Sequence, residues 1–178
     1  MLKKIKKTWG KLTEGWLGYV TYALLGILFA FIVYHSLGYG LHTDMPVVAV
    51  YGNSMEHDSS VETDHYQWLE KNLNYSRNQI NSWPYSNGLS MGDMPIVRGE
   101  DKYKVGDVVV YFAEGQRAPI IHRIIKINDD GTYTIKGDNN PTPDRGTVKK
   151  AQIKGKVIFI IPKLGYFKIF VSKIFGVY

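Results

Sequence analysis

The sequence predicts a mainly β protein, in which an antiparallel β domain lies between one N-terminal transmembrane helix and a short C-terminal apolar helix. Three observations support this fold class. Residues 15–43 contain no Asp, Glu, Lys or Arg, several short β-branched stretches are separated by turn residues, and the last 13 residues are apolar and aromatic. Because no helix-sized periodic segment separates the predicted strands, crossover connections and a parallel sheet are not expected.

The N-terminal part predicts a basic segment over residues 1–14 and a membrane anchor over residues 15–43. A helix of roughly 20 apolar residues crosses the ~30 Å hydrocarbon core of a bilayer. The apolar run exceeds the 7–15 residues of a cleaved signal-peptide core, and no small-x-small site follows it. We therefore expect a retained anchor. Five of the 22 basic residues precede it: Lys3, Lys4, Lys6, Lys7 and Lys11.

The charge distribution predicts the orientation of the anchor. The lysines before the helix and Asp44 after it predict that the anchor crosses the cell membrane with the N-terminus in the cytoplasm. The rest of the chain then lies outside the cell. A net charge of +6 and a pI near 9.3 would also fit nucleic-acid binding. Since the lysines cluster beside the anchor, we expect a lipid bilayer as the partner and no nucleic acid.

The outer domain, residues 44–165, contains six predicted strands separated by Gly, Pro and Asn-rich turns. The turn Asn128-Asp-Asp-Gly131 predicts a hairpin between two of them. The predicted strands are Pro46–Tyr51, Met94–Val97, Asp107–Phe112, Ile120–Ile127, Thr132–Lys136 and Lys156–Ile161.

Residues 57–91 have a different composition, rich in Asn, Trp and Tyr, and we interpret them as an insertion. A helix could begin at Ser59, since Ser59 and Glu62 have capping-box spacing. Tyr66, Leu69 and Leu73 would then share one face of the helix.

The C-terminal segment, residues 166–178, alternates lysines with apolar and aromatic residues. At 13 residues it is too short to span a bilayer as a straight helix. An interfacial, membrane-associated helix and a helix that packs on the β domain both fit this pattern.

The chain contains no cysteine, which excludes disulfides, thiolate zinc sites and cysteine nucleophiles. A serine nucleophile needs a neighbouring base, and usually a carboxylate that orients the base. Ser54 follows a predicted strand, His122 lies within another, and Asp138 and Asp144 belong to one turn-rich loop. Taken singly, each could be a structural residue, so the spacing alone leaves the chemistry open.

Together these segments resemble the type I signal peptidases of archaea and of the endoplasmic reticulum. The resemblance covers the chain from the anchor onward. It depends on Ser54-Met55 after a strand, Gly92-Asp93, His122-Arg123, Gly137-Asp138-Asn139, Asp144, Gly155-Lys-Val and Ile161-Pro-Lys-Leu-Gly165, in that order.

The resemblance implies a serine endopeptidase that removes signal peptides from preproteins, with no cofactor and no metal. It implies that Ser54 is the nucleophile and His122 the general base, where bacterial relatives use lysine. We expect Asp144 to orient the imidazole and Asp138 to support the loop or the surroundings of Ser54. It also implies small, alanine-like substrate side chains and the secretion translocon as a partner.

The sequence departs from the family pattern at two positions near Ser54. His57 stands where the family commonly has proline, and Gly52 stands where it commonly has serine. Without that serine hydroxyl, the Ser54 N–H and a neighbouring amide would have to stabilise an oxyanion. The insertion also creates a second serine-methionine pair, Ser90-Met91, but only Ser54 follows a predicted strand.

Two alternatives compete with this interpretation. A Ser-Lys protease could use Lys126 or Lys136, and a membrane-tethered β module could have kept the fold without catalysis. His57 and His65, with Asp58, Glu62 and Asp64, could hold a metal, but their spacing matches no zinc motif and favours a solvated polar face.

Overall fold

A computed structural model describes residues 13–176 of the chain. The basic lysines of residues 3–11 and the last two residues of the C-terminal segment lie outside this range. The chain divides into two compact units between Gly40 and Leu41.

The first unit contains one long helix, α1 (Gly15–Gly40), of 26 residues. At 1.5 Å per residue its length is about 39 Å, which exceeds the thickness of a hydrocarbon core. Its side chains are mostly apolar and exposed on all sides, and Gly18 is its one buried residue. By length and composition α1 is able to cross a membrane.

The second unit is built on one five-stranded antiparallel sheet, as predicted. The strands lie in the order β1-β5-β2-β3-β4. Their bounds are β1 (Met94–Arg98), β2 (Val108–Tyr111), β3 (Ile120–Ile127), β4 (Tyr133–Lys136) and β5 (Ile153–Ile161). The predicted hairpin joins β3 to β4, where the N–H of Asn128 donates to the Thr132 carbonyl at 2.9 Å.

Both faces of the sheet are covered, which explains the uninterrupted apolar run in β2. Every residue of β2 is buried. Val109 and Tyr111 pack with Ile124 and Ile135 on one face, and Val108 packs with other residues on the opposite face. A strand covered on one side would alternate apolar with polar residues instead.

The segment predicted as a strand over Pro46–Tyr51 is extended but irregular. Its backbone runs antiparallel to β1, since the N–H groups of Val48 and Val50 donate to Pro95 and Asp93 at 3.1 and 3.0 Å. Only Val47 forms a bridge, with Ile96, so the segment is not a regular strand. Val48, Ala49 and Val50 are nevertheless buried.

The insertion contains a π-helical turn (Glu62–Gln67) and two short helices, α2 (Trp68–Leu73) and α3 (Arg77–Asn81). The predicted capping box was wrong, because Val61 is the N-cap residue and Glu62 pairs with Arg77. The predicted apolar face is confirmed. Leu69 is fully buried against Ile125 of β3, with Tyr66 and Leu73 beside it, and such burial stabilises by about 1.5–3 kcal/mol.

The C-terminal helix α4 (Gly165–Phe175) lies along the extended segment that precedes Ser54. The hydroxyl groups of Ser172 and Tyr51 are 3.0 Å apart, and Lys168 Nζ donates to the Val47 carbonyl at 3.4 Å. Phe167, Phe170 and Ile174 remain exposed on the helix. The helix therefore packs on the β domain while it presents an apolar surface to its surroundings.

Candidate active site

Ser54 lies in a tight turn that follows the extended segment. The Glu56 N–H closes the turn on the Asn53 carbonyl at 2.9 Å. Met55 is almost fully buried among Val50, Leu89 and other apolar residues, and it fixes the turn to the core. The Ser54 carbonyl accepts the Asn139 N–H at 2.8 Å, so the 137–146 loop braces the same turn.

His122 is fixed on the central part of β3. It pairs with Val109 of β2 and is 7% exposed. Its Nε2 atom lies 2.9 Å from Ser54 Oγ, and its Nδ1 atom lies 2.6 Å from Asp144 Oδ2. Because a carboxylate can only accept, Nδ1 carries the proton and Nε2 is left to accept from the serine hydroxyl.

Asp144 reaches His122 from the loop that follows β4. Its backbone N–H donates to the Ile135 carbonyl at 2.9 Å, which holds the loop against the sheet. The same Oδ2 atom that faces His122 also accepts the Tyr111 hydroxyl at 2.6 Å. The structure thus brings Ser54, His122 and Asp144 into one hydrogen-bonded series, the arrangement of a nucleophile, a base and an orienting carboxylate.

Comparison with known proteins agrees with this geometry. The signal peptidase complex catalytic subunit SEC11 of Scheffersomyces stipitis is 28% identical over 156 residues, which cover 81% of this chain and 76% of the relative. The catalytic subunit SEC11C of Homo sapiens is 44% identical over 57 residues, 30% of each chain. The homologues of this chain are thus catalytic subunits of the signal peptidase complex, which are type I signal peptidases.

Another human relative supports the assignment over a different length of the chain. The putative signal peptidase complex catalytic subunit SEC11B is 34% identical over 79 residues, 38% of this chain and 48% of the relative. The matched segments thus span less than half of either human protein. No family model matches the chain. The relatives are named as catalytic subunits of signal peptidase, which agrees with a serine endopeptidase.

Asp138, the other aspartate predicted for the site, does not touch Ser54 or His122 through its side chain. It is 1% exposed and pairs with the fully buried Arg123, whose Nε and Nη2 donate to the two carboxylate oxygens at 2.9 and 2.7 Å. Burial alone raises the pKa of Asp138, but the Arg123 guanidinium outweighs it and holds this pKa below its usual range. The ion pair thus fixes the 137–146 loop to β3.

The lysines considered for a Ser-Lys dyad contact other groups. Lys136 is buried, and its ammonium donates to the backbone carbonyls of Asp64 and Gly137 at 2.5 and 3.0 Å. Burial lowers the pKa of Lys136 to about 8. Lys126 is exposed near the end of β3. The Ser90 N–H donates to Asp93 at 2.9 Å, while the imidazole of His122 faces Ser54.

His57, His65 and Asp138 are the described residues that offer a metal three nearby ligand atoms, all within 4.8 Å of one another. The carboxylate in this cluster is that of Asp138, which was not among the acidic residues suggested by the sequence. Asp58 instead binds Ser60, and Glu62 binds Arg77. Arg123 already donates to both oxygens of Asp138, and a cation there would face this guanidinium. The cluster is therefore better described as a buried ion-pair network.

Sequence reasoning missed two side chains that build the site. Tyr111 interrupts an aliphatic strand, and a polar tip at the end of a buried run is a sign that its hydroxyl has a partner. Arg123 follows His122 within an apolar strand, and a buried arginine requires a carboxylate. The sequence therefore indicated that both side chains need a polar partner, but it did not identify Asp144 and Asp138 as those partners.

Proposed function

We propose that this chain removes signal peptides from secreted preproteins at a membrane surface through acyl-enzyme chemistry of Ser54, His122 and Asp144. The observation that carries the proposal is the continuous hydrogen bonding from Ser54 Oγ through the His122 imidazole to Asp144, at 2.9 and 2.6 Å. These distances are within the reach that a nucleophile and its base require.

The reaction follows from this order of groups. His122 Nε2 takes the hydroxyl proton as Ser54 Oγ attacks the scissile carbonyl, and the imidazolium then donates that proton to the leaving amine. Asp144 keeps the proton on Nδ1 and stabilises the imidazolium. Water, activated by the same imidazole, hydrolyses the acyl-enzyme and restores Ser54. The Ser54 N–H and a neighbouring amide of the turn stabilise the oxyanion.

The extended segment before Ser54 provides a binding edge for the substrate. The N–H groups of Val48 and Val50 point to β1, so by alternation those of Ala49 and Tyr51 point to the other edge. A peptide that adds there as a strand would pass Ser54. A cavity of about 190 Å³ lined by Ala49, Ile120 and other apolar residues adjoins Ser54 and suits small side chains.

The membrane arrangement is proposed on the charge pattern and on the exposed surface of α4. The basic residues 1–14 lie in the cytoplasm, residues 15–43 span the cell membrane, and residues 44–165 lie outside. The aromatic side chains of Phe167 and Phe170 enter the lipid interface beside Lys173, an arrangement typical of interfacial helices. Confinement to one surface raises the effective concentration of preproteins that the secretion translocon delivers.

Cleavage of a preprotein by the full-length chain in nanodiscs tests the function. Ser54→Ala is expected to lower the cleavage rate by roughly 10⁴-fold or more, because removal of a serine nucleophile leaves only residual catalysis. Ser90→Ala is the matched control and should stay within about twofold of wild type. Cleavage no faster than background by both the wild-type chain and Ser54→Ala would leave only the non-catalytic β module.

Two further variants in the same assay separate the serine chemistries. His122→Ala is expected to reduce cleavage to background, whereas Lys126→Met is expected to leave it intact. If cleavage survives the histidine change and is lost when Lys126 or Lys136 is replaced, the chain uses a Ser-Lys dyad instead.

A further inference from the structure

Tyr111 contacts the proposed catalytic series at the carboxylate. Its hydroxyl lies 2.6 Å from Asp144 Oδ2, and His122 Nδ1 lies 2.6 Å from the same atom. We infer that Tyr111 is a positioning residue for the reaction: its hydroxyl orients Asp144 toward His122 and sets how strongly this carboxylate attracts the imidazole proton. The inference depends on the proposed function.

The fold gives Tyr111 a fixed position. In the β2–β3 register, Tyr111 pairs with Ile120 and Val109 pairs with His122, so Tyr111 and His122 lie two positions apart on one face of the sheet. The ring of Tyr111 is 1% exposed and packs with Ile124, Tyr133 and other core residues. A buried ring on a central strand keeps its hydroxyl in one place.

Asp144 lacks a comparable anchor of its own. It belongs to a loop, its side chain is 20% exposed, and it lines an open cavity of about 910 Å³ beside Arg145 and Lys149. Its backbone is held by one hydrogen bond to Ile135, but the described partners of its side chain are Tyr111 and His122. The rigid phenol therefore limits how far the carboxylate can turn away from the imidazole.

The direction of the hydrogen bond is set by chemistry. A carboxylate accepts only, so the Tyr111 hydroxyl must donate. Burial, and then the bond to Asp144, raise the pKa of Tyr111 above its usual range, and the phenol stays protonated throughout the working pH range. Tyr111 can thus withdraw charge from Oδ2 without exchanging a proton.

This withdrawal of charge predicts the direction of a pH effect. With the phenol present, Oδ2 shares its negative charge between two donors, and the imidazolium form of His122 is stabilised less. Loss of the hydroxyl leaves the carboxylate a stronger partner for the imidazolium, which is then favoured over the neutral imidazole. Because the reaction needs neutral His122, activity should then be lost at a higher pH during acidification.

The test is the pH profile of kcat/KM for Tyr111→Phe in the full-length chain. We expect the acid limb to move up by roughly 0.3–0.5 pH unit and kcat to fall about three- to tenfold at neutral pH, with KM within about twofold, since a hydrogen bond to a charged group is lost and water can partly replace it. Tyr133→Phe removes a hydroxyl from the same core cluster and should match wild type.

A second variant covers the case in which Tyr111→Phe does not fold. Site-specific 3-fluorotyrosine at position 111 keeps the shape of the ring but makes the phenol a stronger donor. The acid limb should then move in the opposite direction, to lower pH. A uniform loss of rate with an unmoved limb, unchanged kinetics, or an equal shift in Tyr133→Phe would overturn the positioning role.

Labelling by a serine-directed fluorophosphonate separates this inference from the function itself. If Ser54→Ala abolishes labelling and cleavage while Tyr111→Phe keeps the wild-type profile, the peptidase proposal stands and the role of Tyr111 fails. If Ser54→Ala retains both labelling and cleavage, the proposed function fails, and the inference about Tyr111 fails with it.

Discussion

Four basic side chains lie close to one buried carboxylate, that of Asp138, and interact with it electrostatically. Arg123 binds both oxygens, His57 Nε2 lies 3.0 Å from one of them, and His65 Nδ1 lies 3.4 Å from the other. Lys136 contributes a further positive charge to the same region. Since two cations already face one carboxylate, protonation of the buried His65 is unfavourable there.

His65 gives this cluster a measurable pH dependence. Burial lowers the pKa of His65 to about 4, against the attraction of Asp138, and Arg123, His57 and Lys136 also oppose its charged form. The unfolded chain binds this proton near pH 6.5 and the folded chain only near pH 4, so the contribution of His65 to stability is present above pH 6.5 and is lost as the pH falls toward 4.

We therefore expect the wild-type domain to lose about 1 kcal/mol of stability through His65 between pH 7.5 and 5.5. In detergent, this corresponds to a fall in Tm of a few degrees, followed by tryptophan fluorescence. His65→Gln should reduce the dependence of Tm on pH by that amount, whatever its effect at pH 7.5. An equally steep dependence in the variant would show that other groups cause it.

The residues proposed for catalysis could be predicted because a serine enzyme needs a serine, a base and a carboxylate in characteristic local contexts. Ser54, His122 and Asp144 came from such contexts and from the family resemblance, and they lie together. The contacts of Asp138 could not be predicted. They depend on His65 reaching the 138 loop from the insertion, 73 positions earlier in the chain, and no local pattern encodes such a contact.

At the scale of elements, the strands were the most predictable part of the fold. Ile120–Ile127 was predicted with the bounds that β3 has, because β-branched residues fill it and turn residues end it. The segment Pro46–Tyr51 has a similar composition, but it forms a single bridge, to β1, and then enters the turn that carries Ser54. The β propensity of the residues predicts an extended backbone. A regular strand also requires a neighbouring strand long enough to pair with it.

The insertion shows the same limit for helices. Its apolar face was predictable from spacing, because Tyr66, Leu69 and Leu73 recur at helical intervals. The π-helical turn was not, since the wider turn over residues 62–67 accompanies the burial of His65, a tertiary effect. The capping box lies in α3 instead, where Ser76 and Gln79 satisfy each other's backbone groups.

For α4, the packing interpretation accounts for one side of the helix, and the interfacial interpretation is a prediction for the other side. Tyr51 and Val47 contact the packed side, and the aromatic side is exposed. Because the chain contains no cysteine, a single fluorophore can be attached at Phe170→Cys. In nanodiscs we expect blue-shifted emission from a nitrobenzoxadiazole label there, with strong quenching by nitroxides on the lipid chains.

Asp129→Cys, in the exposed β3–β4 turn, is the matched control for this measurement and should give solvent-like emission without quenching. If both labels report water, α4 is a packing helix of the β domain and not an interfacial anchor.

The Arg123–Asp138 pair joins parts of the outer domain that are distant in sequence. Arg123 lies on β3, and Asp138 lies in the loop that also carries Asp144. The Arg123 guanidinium donates to the carbonyls of Pro84 and Tyr85 in the insertion at 2.7 and 3.0 Å, and to Gly106 before β2 at 2.9 Å. One guanidinium therefore links the sheet, the insertion and the 137–146 loop.

Removal of the charge of Asp138 should consequently destabilise the domain as a unit. Asp138→Asn keeps the shape of the side chain but leaves a buried guanidinium without its counter-charge, which typically costs about 3–5 kcal/mol. We expect a large fall in Tm, and faster proteolysis within residues 57–91 as the insertion separates from β3. Glu62→Gln is the control, because Glu62 and Arg77 are 53% and 37% exposed and water screens their ion pair, so its loss should change stability little. If the two variants lose similar stability, the Arg123–Asp138 pair does not hold the sheet, the insertion and the 137–146 loop together. Asp138 must then have a different role.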